Sequence, residues 1–207
     1  MNTEEAREHR AQKEFVASIP FNTRTKKVAF TTRFREVGVA TRARMLAFIA
    51  LMATLANVLS FPPIALPVTP EITVHFSQLP IFIAGILTGP VGGLMIGAIG
   101  GLYMSFSRIP FIIGGLAILG LATGFFGRRV RPLYAGLLAW FVQAPYVVVT
   151  DYVWFAILLE RTPQAAWAFV TSIMIVLTIE AVISSALAEV TVRYLKRTRI
   201  APRVTIT

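Results

Sequence analysis

The residues able to do chemistry are few and far apart: Asn57, His75, Gln78, Tyr103, Arg108, Gln143, Tyr146, Asp151 and Glu180. Each lies in or beside a long apolar stretch. There a charged or amide group is costly and faces a bundle interior or a wet cavity. Asp151 and Glu180 are carboxylates that could act as acid and base, as a proton relay, or as acceptors for a ligand. Glu180 follows Trp167 by thirteen residues, about 20 Å along a helix, so it is the deepest. Two readings of it stand: a functional carboxylate, or a structural one hydrogen-bonded to Gln143 at similar depth. Asp151 sits near the outer end of its stretch, placed for ligand binding or for interfacial solvation. Arg108 offers an anionic substrate a cation, or is simply solvated. His75 and Gln78 enter an apolar stretch from a Pro-rich segment, at a gate or a ligand site. Trp140, Trp154 and Trp167 can stack on a flat ligand, although Trp154 and Trp167 also fit an interfacial aromatic belt.

Much other chemistry is excluded. The sequence contains no GxxxxGK[ST] phosphate-binding loop, no HExxH and no GxSxG. Only His9 and His75 are histidines and there is no cysteine, so neither a metal constellation nor thiolate chemistry is indicated. Hydrophobic residues make up 56% of the chain and charged ones 14%, too few polar groups to coat a soluble domain. The net charge of +10 sits in short segments flanking the apolar stretches rather than in a nucleic-acid-binding face.

The elements that must position these groups are helices crossing a bilayer. Residues 1–40 form a basic N-terminal extension, expected to be partly disordered and cytoplasmic. Residues 41–197 form a membrane domain, and 198–207 a basic cytoplasmic tail. About six spans are expected: Met45 to Phe61, Phe76 to Leu87, Val91 to Phe106, Pro110 to Phe126, Leu133 to Leu159 and Ala165 to Tyr194. Pro62, Pro63, Pro67 and Pro70 forbid a regular helix between the first two. Gly89-Pro90 predicts a tight turn between the second and third. Gly85, Gly89, Gly93, Gly97 and Gly101 recur every fourth residue, a spacing that lets helix backbones approach closely in a membrane. Lys and Arg concentrate at both termini and in Arg128–Arg131, with Arg108 and Arg161 on the other side. The fold class is therefore an all-α integral membrane protein with both termini cytoplasmic. Ala43, Ala47 and Ala50 share one helical face, flat enough for another helix of this chain or of a partner subunit.

The segment from Val74 to Gly97 carries Leu79-Pro80 opening an apolar helix, then Gly89-Pro90, then Gly93 and Gly97. It resembles the second and third spans of the substrate-binding S component of energy-coupling factor (ECF) vitamin transporters. Ala43 and Ala47 resemble that family's AxxxA docking surface, and the run from Gly120 to Arg129 its fourth-span exit. The resemblance covers most of the chain beyond Thr41. It implies a multi-pass prokaryotic cell-membrane protein that binds a water-soluble vitamin or related micronutrient and catalyses nothing. A transmembrane coupling subunit and two ATPase subunits would dock on it. ATP would be used by those partners, with no cofactor in this chain. The substrate site would draw on Asn57, His75, Gln78, Tyr103, Arg108, Tyr146 and Asp151, with Glu180 in a coupling or structural role and Ala43, Ala47 and Ala50 docking the partner. Two other classes are a stand-alone secondary transporter with Glu180 as proton relay, and an intramembrane enzyme using Asp151 and Glu180.

Overall fold

The computed structural model describes residues 43–62, 64, 66–67 and 73–198. The N-terminal extension, Pro70 and nearly all of the basic tail lie outside the described residues. The chain divides into two units, Met1–Ala43 and Arg44–Thr207, and the helical bundle belongs to the second.

Among the described residues, six helical segments make up the bundle. The first, α1, is Ala43–Leu59. A minimal antiparallel hairpin comes next, β1 (Leu66–Pro67) against β2 (Thr73–Val74), with Leu66 opposite Val74. Then come α2 (Gln78–Thr88) and α3 (Pro90–Gly100), which continues after a break at Gly101 into the short α4 (Leu102–Ser107). α5 is Ile112–Phe126 and α6 is Pro132–Tyr152, extended by a π-helical turn at Val153–Leu158. The last helix, α7, runs Pro163–Arg197.

Three of these stretches are long and apolar enough to cross a bilayer: Pro90–Ser107, Pro132–Leu158 and Pro163–Arg197. The 35 residues of α7 exceed the roughly 20 that a bilayer core requires, and its last turn is the charged Lys196 and Arg197. At 11 residues, α2 rises about 16 Å, near half of that core. The non-helical chain leading into it is covered by protein, with His75 and Ser77 both buried. Irregular backbone at depth is tolerated under that condition.

The Gly89-Pro90 turn forms as expected. Gly89 has φ 84°, a left-handed conformation open to glycine at no steric cost, and its N–H closes α2 onto the Gly85 carbonyl at 2.8 Å. A Cβ at Gly89 would also strike the Arg128 guanidinium. The glycine ladder packs α3 directly on α5. A Cβ on Gly93 would run into the carbonyl of Gly120, and one on Gly120 into the carbonyl of Gly93. Around this contact Ile81, Phe82, Ile96 and Leu119 are fully buried. At the end of the bundle holding the basic loop, Glu189 accepts the Leu133 N–H at 2.9 Å and pairs with Arg193, tying the start of α6 to the end of α7.

Candidate ligand cavity

A cavity of about 420 Å³ lies toward the opposite end, near Arg108 and Leu159. Five elements build it. The exit from β2 and the first turn of α2 bring His75 and Gln78. α4 and its exit bring Met104 and Arg108, and α5 brings Phe111 and Gly115. α6 with its π-turn brings Gln143, Tyr146, Thr150, Asp151 and Trp154, while Val176 and Leu177 of α7 supply an apolar wall. Its volume and mixture of apolar walls with few polar groups suit a small molecule.

The polar face of α6 comes from helical spacing. Gln143, Tyr146, Thr150 and Trp154 fall on one stripe at steps of three and four, with Asp151 beside it, three residues before Trp154. Pro145 lies inside α6, and beyond Tyr152 the bonding widens, so that Leu159 N–H reaches the Trp154 carbonyl at 3.0 Å. A π-turn adds a residue to a turn and is frequent at functional sites. Here it presents both Trp154 and Phe155 to the cavity. The Tyr146 hydroxyl donates to the Phe111 carbonyl at 3.1 Å. Gly114 makes room for it, since a Cβ there would meet that hydroxyl.

His75 is buried, with Nδ1 3.0 Å from the Ser77 hydroxyl. It precedes α2, and burial, reinforced by the nearby Arg108 charge and opposed by a backbone hydrogen bond, pushes its pKa down to about 4. The ring is therefore neutral at pH 7. Its backbone N–H donates to Glu180, whose second oxygen lies 3.6 Å from Nδ1. Glu180 is fully buried and does not line the cavity. Its partner is the His75 backbone, and no hydrogen bond joins it to Gln143 among the described residues. The deepest carboxylate thus ties α7 to the chain entering α2.

Of the seven expected substrate residues, His75, Gln78, Arg108, Tyr146 and Asp151 converge on the cavity. Asn57 and Tyr103 lie outside it and are joined to each other. At the Gly101 break the Ile99 carbonyl and the Tyr103 N–H are the pair that an uninterrupted helix would connect. Asn57 takes both: Nδ2 donates to Ile99 at 2.8 Å, and Oδ1 accepts from Tyr103 at 2.9 Å. The Tyr103 ring packs on Phe61, centroids 5.4 Å apart.

The three tryptophans also part company. Trp154 lines the cavity, edge-on to Phe111 at 6.3 Å. Trp167 is half exposed beside Tyr152, and Trp140 is buried in the core. Gln143 and Thr150 belong to the cavity wall although neither was among the residues expected there. The signal that finds them is the shared stripe on α6. Ala47 and Ala50 are exposed on α1, with Ile49, Ala53 and Ala56 buried on its other side. Among the described residues no group of His, Asp or Glu is arranged to hold a metal ion.

No protein-family model and no curated protein matches the chain. Among solved structures it is similar to the S component of a bacterial ECF transporter, at 19% identity over 77% of this chain and 96% of that one, with a TM-score of 0.48. A likeness of this degree leaves the reading of function to the residues of the site.

Proposed function

We propose that the chain is the membrane-embedded, substrate-binding subunit of an ATP-driven ECF importer for a water-soluble vitamin or related micronutrient. The observation that carries this reading is the cavity, an apolar chamber built by five elements, three of which bring His75, Gln78, Arg108, Gln143, Tyr146 and Asp151 to it. It lies away from the basic Arg128–Arg131 loop. With that loop and both termini cytoplasmic, as the positive-inside rule requires, the cavity faces the outer half of the membrane. The hairpin before His75 is then the outer gate.

The chain has no phosphate-binding loop, so the motive force comes from two ATPases through a coupling subunit. The exposed Ala47 and Ala50 face of α1, with Ala43, is the surface for that subunit, since small side chains let a partner helix approach closely. Glu180 has a positioning role, holding the gate's exit through the His75 N–H. It stands outside the cavity, which favours this role over those of substrate carboxylate or catalytic acid.

The test is transport. Purified alone in liposomes, the chain binds the small molecule that copurifies with it and does not accumulate it. Accumulation requires the coupling subunit, the ATPases and ATP. Ala47→Trp abolishes subunit association and uptake while binding by the solitary chain survives. Accumulation by the chain alone under a proton gradient would establish a secondary transporter instead.

A further inference from the structure

The cavity also carries information about what fills it, an inference that rests on the substrate-binding reading above. Gln78 and Gln143 are 1% and 4% exposed, and the Oε1 of each is buried without a hydrogen-bond partner. Asp151 is 6% exposed and makes no ion pair with a described residue. Buried polar groups in native proteins are ordinarily satisfied. These three belong to two different elements, α2 and α6, and all line one chamber. A carboxylate oxygen is an acceptor, while a glutamine amide carries both an acceptor oxygen and an NH2 donor and can turn about its last bond to offer either without changing the side chain's shape. Their common complement is a polar edge that both donates and accepts, with an N–H for the Asp151 carboxylate.

The other walls restrict the shape and charge of the occupant. Phe111, Tyr146, Trp154 and Phe155 supply aromatic surface. The Tyr146 hydroxyl is committed to the Phe111 carbonyl, leaving its ring to face the chamber. Flat aromatic walls favour a flat ring, stacked or edge-on. Among the described residues Arg108 is the one permanent cation in the lining, and it makes no ion pair with any of them. Its guanidinium fits a carboxylate or phosphate in a bidentate fork, and it disfavours a cationic ligand. His75 beside it is neutral and adds no competing charge.

We propose that the cavity takes a planar nitrogen heterocycle bearing one anionic group. The ring edge hydrogen-bonds to Gln78, Gln143 and Asp151, the ring stacks on one of Trp154 and Phe111 and meets the other edge-on, and the anion pairs with Arg108. A carbocyclic acid of the same outline leaves the two amides and the carboxyl unmet. A site built around such hydrogen bonds discriminates strongly against an analogue lacking them. An aliphatic acid forgoes the aromatic walls.

Calorimetric titration of the full chain in detergent with four probes separates these features. Pterin-6-carboxylate has ring, donors and anion. Pterin lacks the anion, 2-naphthoate lacks the donors, and pantothenate lacks the ring. Pterin-6-carboxylate is expected to bind tightest, each of the others at least about tenfold more weakly. In Arg108→Gln the advantage of pterin-6-carboxylate over pterin disappears while pterin binds as before. In Gln143→Leu both pterins weaken and 2-naphthoate does not. Equal binding of 2-naphthoate and pterin-6-carboxylate overturns the proposal. So does tightest binding of pantothenate, an unchanged ratio in Arg108→Gln, or no binding of any probe by protein whose circular dichroism is native. The substrate-binding reading fails by a different result. An aliphatic copurifying molecule taken up only with ATP overturns the heterocycle and leaves the importer standing. Tight pterin-6-carboxylate binding by a chain that accumulates substrate under a proton gradient does the reverse.

Discussion

Two polar regions of this bundle, one around the partly buried Asn57 and one around the buried glutamines of the cavity, are opposites. Around Asn57 every polar atom of the side-chain amide has a protein partner: Nδ2 reaches the carbonyls of Ala53 and Ile99, and Oδ1 receives the Tyr103 N–H. Around the cavity, Gln78 and Gln143 keep acceptors that the protein does not satisfy. The residue types are alike, yet the partly buried Asn57 is saturated and the more deeply buried glutamines are not. An amide whose bonds are all internal holds the fold, and one whose bonds remain open inside a chamber is poised for something else. Ser184 and Ser185 are also buried without a partner, away from the cavity, and nothing in the structure explains them.

This contrast is broken or sharpened by four experiments. The largest effect is expected from Asn57→Leu. It strips partners from the Ile99 carbonyl and the Tyr103 N–H, and should cost about 2–4 kcal/mol of stability in detergent. Affinity of the remaining folded protein should be unchanged, and a lost affinity at full stability would place Asn57 with the ligand. Next is acid titration of His75. The unfolded ring takes up a proton near pH 6.5 and the folded one only near 4. Stability should therefore fall as pH drops through that window, by up to about 3 kcal/mol. That component should vanish in His75→Gln, as measured by the difference between the two unfolding profiles. The same profile in both proteins would show that His75 is not held neutral.

Third, Gln143→Leu should weaken ligand binding by about 1–3 kcal/mol. The melting temperature of the free protein should hold or rise, because an unmet buried acceptor is removed. A drop in stability with affinity intact would put Gln143 in the same class as Asn57. The smallest effect belongs to Tyr103→Ala. The hydrogen bond there is made by the backbone, so only the ring contact with Phe61 is lost. The change should cost about 1 kcal/mol or less in stability and leave calorimetric affinity unaltered.

The bundle itself was legible because its signals are local. Apolar length marks the helices, Gly89-Pro90 marks the turn, and the four-residue glycine spacing marks the close face between α3 and α5. The site was legible in part. A shared outer level, in loops for His75 and Arg108 and within spans for Gln78, Tyr146 and Asp151, singles these five out, and the fold brings them to one cavity. Depth alone is blind to azimuth. Gln143 and Glu180 sit on different helices at similar depth, yet Glu180 turns to the His75 N–H and Gln143 to the cavity. The pairing of Asn57 with Tyr103 depends on the helix breaking at Gly101. A glycine in a ladder of packing glycines does not announce that break.

The Asn57 joint has a mechanical consequence. A side chain of α1 stands in for a missing rung in the helix that ends at Arg108. Sliding α1 along its own axis by one turn would pull that rung out. The two rods are spliced rather than merely stacked.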